Sequence, residues 1–183
     1  MANALKFGLG LIFISLLRLI QMPLPNIEPI MASMLPFARK YGQIAGFLFA
    51  SLALLSFDFI SGRIGAWSIY AAITYGVIGY AAGRYFSDKN RQKTKYYLGF
   101  GIIGTIFYDA VTAFLFGMQF NQPLAMTIAG QIPFTIYHLL GSAAFILFLT
   151  PLVDGLIVEN PVLEIGRIGS REPSGAKLGM RRK

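Results

Sequence analysis

Six apolar segments, which leave most of the charge to the short breaks between them and to the C-terminal tail, constrain this chain of 183 residues more than any other feature. They run over residues 2–20, 30–38, 41–60, 66–85, 97–119 and 127–150. About 20 apolar residues cross the hydrocarbon of a bilayer as a helix, and every segment but the second is near that length. Backbone N–H and C=O groups in hydrocarbon have only one another to bond, so the segments are predicted to be helices. Charged residues make up 13% of the chain, roughly half the share of a soluble domain, and the mean hydropathy is +0.60. The expectation is an all-α integral membrane protein, a six-helix transmembrane bundle whose second helix is short or broken at Pro36. Residues 1–157 form this membrane domain; residues 158–183 read as a basic, disordered cytoplasmic tail. A signal peptide is the rival reading of the first segment, but Gln21-Met22-Pro23 is a poor cleavage site. With Lys6 and Arg18 snorkelling from its two ends, that segment is long enough to span.

A net charge of +8 could suggest nucleic acid, but its placement argues for membrane topology instead. If the segments alternate in direction, Lys6, Arg39, Lys40, the 84–95 cluster and the C-terminal cations share one side, 14 of the 16 in all. Arg18 and Arg63 are the exceptions. The positive-inside rule then places both termini in the cytoplasm of a multi-pass protein. Without cysteine the chain has no disulfide, thiolate metal site, iron–sulfur cluster or thiol nucleophile, and one histidine makes metal catalysis a poor fit. No metal, cofactor, nucleic acid or catalytic residue is expected.

Between the first two segments, Leu24-Pro25-Asn26-Ile27-Glu28-Pro29 cannot be helical, because prolines fix φ and push the preceding residue toward extended backbone. It carries an amide and a carboxylate into an oily sequence. Other polar groups fall at the same level once the topology is applied: Arg18, Asp58, Trp67, Tyr70, Asp109, Thr112, Gln131, Tyr137 and His138. Ionisable side chains in hydrocarbon face a cavity, a partner or a functional path. The ring predicts an outward-opening pocket in which Asn26, Glu28, Asp58, Trp67, Tyr70, Asp109, Thr112, Gln131 and His138 bind a ligand. Plainer roles stand beside this one. Trp67 and Tyr70 suit an interfacial aromatic belt, Arg18 could pair with Glu28 or Asp58, and Glu28 could cap the second helix. Small residues at Ala4 and Gly8, and at Gly42, Gly46 and Ala50, allow close helix approach, either inside the bundle or against another membrane protein.

The ordered set of features resembles the substrate-binding S components of energy-coupling factor (ECF) vitamin transporters. The resemblance rests on the Pro-Asn-Ile-Glu-Pro loop before a short helix and on the Arg39-Lys40-Tyr41-Gly42 break. It continues through Gly62-Arg63-Ile64-Gly65-Ala66-Trp67, the glycines at 76, 79 and 83, Tyr108-Asp109, and Pro133 with His138 and Gly141, covering roughly residues 5–157. It implies a prokaryotic plasma-membrane bundle that captures a vitamin-like nutrient under the loop after the first helix. It also implies docking of the first three helices on a transmembrane coupling subunit driven by two cytoplasmic ATPases, with Ala4, Gly8, Gly42, Gly46 and Ala50 as the coupling interface. The chain has no phosphate-binding G-x-x-x-x-G-K-[ST] loop of its own, so ATP hydrolysis would belong to partners. The family's alanine-x-x-x-alanine motif is absent from the first helix; Ala4-x-x-x-Gly8 only approximates it. The proline loop looks most like the cobalamin-type subgroup, and the outer-level charges lean toward a neutral or cationic ligand.

Two alternatives come from other classes. An aspartyl intramembrane hydrolase would use Asp58 and Asp109, although Gly-x-Gly-Asp is missing and such a pair must sit close enough to share a proton. A scaffold or lipid-binding protein would pair its polar groups internally and contain no outer cavity.

Overall fold

The computed structural model describes residues 2–20 and 28–163; Asn26 and the basic tail beyond 163 lie outside them. Six α-helices follow in order: α1 (Ala2–Leu19), α2 (Ile30–Tyr41), α3 (Gln43–Ile60), α4 (Ala66–Tyr85), α5 (Thr94–Gln119) and α6 (Leu124–Val153). A short 3₁₀ turn, Lys89–Arg91, precedes α5, and a π-helical turn, Asp154–Val158, prolongs α6. No strand occurs among the described residues. Among the described residues, three helices are long and apolar enough to cross a membrane: Gln43–Ile60, Thr94–Gln119 and α6 with its extension, Leu124–Val158. The others differ for visible reasons. α1 carries Lys6 and Arg18 within 18 residues, α2 has only 12 residues, and α4 mixes Ser68, Thr74, four tyrosines and Arg84 into its apolar run.

The short α2 is the post around which the rest is arranged. Ile30 to Ala38 are all buried, and α2 packs on α3, α4, α5 and α6 as well as α1. Pro36 lies inside this helix without breaking it. A proline at that position cannot donate to the carbonyl four residues back, and the Thr150 hydroxyl of α6 donates to that Ala32 oxygen instead, at 2.9 Å. The helix stops where Gly42 takes a φ of +86°, a backbone state that favours glycine, so that α3 starts in a new direction.

α3 and α4 approach closely enough for their backbones to touch. A Cβ on Gly46 would strike the Gly79 carbonyl, and one on Gly79 would strike the Gly46 carbonyl. Ser51 of α3 adds a hydrogen bond to the Ala72 carbonyl at 2.9 Å. Beside this crossing, Phe7, Phe37 and Phe49 form an aromatic cluster, with Phe37 and Phe49 stacked at 4.2 Å. The glycine and alanine spacing of α3 is thus spent inside the molecule: Gly46 and Ala50 are buried, not on a surface open to a partner. Gly42 sits at the α2–α3 break with no neighbour a side chain would meet. On α1, Ala4 is exposed and Gly8 is half-buried with open space beside it.

Lys6 of α1 and Arg39 and Lys40 of α2 gather at one end, where they meet the end of α6. Buried Lys6 donates to the Val158 carbonyl at 2.8 Å. Arg39 bridges Asp154 at 2.6 Å and Glu159 at 2.8 Å, while Lys40 reaches Glu159 at 2.6 Å. Ordered contacts therefore continue past residue 157, through Val158, which is buried, and Glu159. Hydrogen bonding from Lys40, and then from Arg39, holds the Glu159 carboxyl below the usual carboxylate range. A group so shifted contributes stability that is complete above its unfolded-state value and disappears as the pH falls through its lower folded-state value. Because Glu159 is partly solvent-screened, the contribution is at most about 1 kcal/mol. The thermal midpoint of the detergent-solubilised protein is expected to fall slightly on acidification below about pH 5. Glu159→Gln is expected to lower the midpoint at neutral pH and to flatten that acid limb. An unchanged acid limb in the variant would remove Glu159 from the clasp.

Candidate functional site

The opposite end of the bundle holds the polar groups, arranged in two tiers. Helix direction fixes the tiers: α4 and α6 start at this end and α5 finishes at it. At 1.5 Å per residue, Tyr75 lies about 12 Å below Trp67, and His138 about 10 Å below Gln131.

The outer tier is an open cavity of about 480 Å³ between α4, α5 and α6. Trp67, Tyr70, Thr112 and Gln131 line it, four residues singled out in the sequence, together with Tyr108, Ala113, Phe116 and Phe134. Five of the eight are aromatic, so flat apolar faces dominate. Its hydrogen-bonding groups are few and partly committed. The Thr112 hydroxyl donates to the Tyr108 carbonyl at 2.7 Å, which leaves its oxygen as an acceptor. Gln131 donates to the Thr135 hydroxyl at 3.1 Å and keeps its amide oxygen. Trp67 is 40% exposed at the mouth.

The inner tier is a line of polar side chains drawn from five parts of the chain. Arg18 of α1 pairs with Glu28 at 2.8 Å, donates to the Ala53 carbonyl at 3.4 Å and lies over the Phe57 ring. Tyr75 of α4 donates its hydroxyl to Glu28 at 2.9 Å, and the same oxygen stands 3.5 Å from Nε2 of His138 on α6. On the other side of the imidazole, Nδ1 is 2.7 Å from Oδ1 of Asp109 on α5. Asp109 and His138 are 1% and 2% exposed, and Oδ2 of Asp109 makes no hydrogen bond. Two residues join the tiers: Tyr108 packs against Tyr75 at 4.1 Å and edge-on to His138, and Phe134 meets His138 from the other side.

The nine residues singled out as ligand-binding therefore separate. Four line the cavity, Glu28, Asp109 and His138 belong to the buried line, and Asn26 is outside the described residues. Asp58 stands in neither group; it is 1% exposed, and its Oδ2 has no hydrogen-bond partner. Asp109 bonds to His138 through Oδ1, and Oδ2 of each aspartate has no hydrogen-bond partner. Tyr75 is the member that sequence reasoning did not select. A tyrosine in the middle of an apolar helix is a signal in itself, since a buried hydroxyl seeks a partner. Arg18 was paired correctly with Glu28 as one option, and Phe116 and Phe134 carried no sign of their place among many phenylalanines. Among the described residues no group of three or more His, Cys, Asp or Glu could hold a metal ion.

Comparisons with models of protein families, with characterised proteins and with solved structures found no match.

Proposed function

We propose that this is a membrane-embedded solute-binding protein. More particularly, we propose the substrate-capture S component of an ECF-type transporter, which holds a vitamin-like nutrient in the cavity at the Trp67 end of the bundle. The observation that carries this reading is the aromatic-walled cavity of about 480 Å³, set directly above a buried ionic line. A soluble ligand pocket has the same character, mostly apolar with a few fixed polar groups, and lies in the same size range. The charged groups beneath are paired with each other, Arg18 with Glu28 and His138 with Asp109. The ligand the walls suit is accordingly uncharged and planar, contacting the rings of Trp67, Tyr70, Phe116 and Phe134 and the polar groups of Thr112 and Gln131. Transport would then require a membrane coupling subunit and two cytoplasmic ATPases, with the basic end of the bundle facing the cytoplasm. The internal pairing also suits a scaffold or lipid-binding protein, for which the cavity would be incidental.

Gentle purification, denaturation and mass spectrometry of released small molecules separates these readings. A single small molecule at a stoichiometric amount is expected from the wild-type protein. Trp67→Ala removes one wall at a half-exposed position and is expected to weaken binding at least about tenfold, the equivalent of 1.4 kcal/mol, with the thermal midpoint little changed. Release of phospholipid alone from well-folded protein would overturn the proposal and favour the scaffold.

A further inference from the structure

The buried line of side chains can be counted in hydrogens. Glu28 accepts from Arg18 through Oε1 and from the Tyr75 hydroxyl through Oε2. A phenol has one hydrogen, so Tyr75 can offer only lone pairs to Nε2 of His138. Across the ring, Nδ1 and Oδ1 of Asp109 are 2.7 Å apart. Two bare lone pairs would repel at that distance, so a hydrogen lies between them. If it is the imidazole's single hydrogen and Asp109 is a carboxylate, Nε2 is bare and faces the oxygen lone pairs of Tyr75. One more proton resolves the mismatch in either of two ways. An imidazolium donates from both nitrogens, or a protonated Asp109 donates to Nδ1 while Nε2 carries the ring hydrogen. Both forms direct Nε2–H at the Tyr75 oxygen.

We propose that Asp109 and His138 form a buried proton-binding site, and that its proton is linked through Tyr75 to the Arg18–Glu28 pair. Charge points the same way. With the proton in place, Arg18, Glu28, His138 and Asp109 sum to zero; without it they sum to −1 in a site closed to water, an uncompensated buried charge. Among the described residues, the groups around the pair offer no other neutralising cation. From α5 comes the Tyr108 phenol, and Asp58 of α3, outside the line, is a second buried carboxylate, not a cation. The buried stretch of α2, Ile30–Ala38, contributes no ionisable group. Arg63, just beyond α3, is exposed. Arg18, from α1, is already engaged with Glu28.

The 3.5 Å separation between Tyr75 and His138 is the longest in the line and therefore the place where the linkage opens. When the proton leaves, the Tyr75 hydrogen can turn from Glu28 to the bare Nε2. The pairing of Glu28, two residues ahead of α2, thus depends on proton occupancy at Asp109 and His138. This holds whichever solute, or none, fills the cavity above.

His138 is the sole histidine in the chain, so ¹⁵N-histidine labelling of the full-length protein in lipid nanodiscs yields one pair of ring-nitrogen resonances. The wild-type spectrum at neutral pH is expected to show Nε2 carrying a hydrogen. Tyr75→Phe takes away the acceptor and is expected to leave Nε2 bare. A wild-type spectrum with hydrogen on Nδ1 only would overturn the proton site, and it decides that point with no variant needed. A Tyr75→Phe spectrum identical to that of the wild type would overturn the linkage to Glu28.

Discussion

Gly79→Val is expected to lower the stability of the detergent-solubilised protein by about 3 kcal/mol or more, the upper end of the cost of overpacking a well-packed site. For a chain of this size that is a fall of about 10 °C in thermal midpoint. A side chain at residue 79 meets the carbonyl of Gly46, which is backbone and cannot turn aside. Gly46 meets Gly79 in the same way, so Gly46→Val is expected to match it. Gly130→Ala is the control, since nothing lies within contact distance of a Cβ there and the residue is within α6. Replacing a helical glycine by alanine without a clash stabilises by about 0.4–1 kcal/mol. If the valine variants melt with the wild type, α3 and α4 do not cross where the structure puts them.

Arg18→Met carries the second large effect. It leaves Glu28 mostly buried with a single remaining donor, Tyr75. Removing one partner of a buried ion pair costs about 3–5 kcal/mol, because the other charge stays uncompensated. Arg18→Met with Glu28→Gln removes the orphaned charge, and the double variant is expected to be more stable than Arg18→Met alone. A cycle of the two single variants and the double variant measures the coupling, expected at about 1–3 kcal/mol for groups in direct contact. Strict additivity would show that the pair does not act as one.

The helices were legible where the punctuation was local. For α4 the turn at Gly62–Gly65 and the charged stretch after Tyr85 mark both ends, and the structure starts and stops it at 66 and 85. The ends of α6 were less so. Pro123 suits the position just ahead of a helix, so α6 starts at Leu124, three residues earlier than its apolar run suggests. Pro151 does not end the helix, which continues to Val153 and then widens into the π turn that Lys6 and Arg39 hold. Pro36 looked like an interruption for a similar reason. What keeps α2 whole is a hydroxyl 118 residues away in sequence from the carbonyl it serves. No local pattern contains that fact.

The site was legible by residue type and not by partnership. Ionisable groups in an apolar sequence marked Glu28, Asp109 and His138, but which of them meet depends on the rotation of each helix about its axis. Asp58 and Asp109 are both acids within apolar helices, and both leave Oδ2 without a partner, yet Asp109 also meets His138 through Oδ1. The cations at the other end carried the opposite lesson. Arg39 and Lys40 read as free topological charges, whereas the fold binds them to Asp154 and Glu159. Small-residue spacing on α3 was compatible with an internal or an external neighbour, and only the position of Gly79 distinguishes them.

The enclosure of α2 bears on how the chain is made. Twelve residues extend about 18 Å as a helix, well short of a hydrocarbon layer about 30 Å thick. Released alone into a bilayer, α2 would have neither the length to span it nor a donor for the Ala32 carbonyl. That donor, Thr150, is among the last described residues to leave the ribosome. An early segment must wait for a late one, and the assembly of the N-terminal third is completed only when α6 arrives.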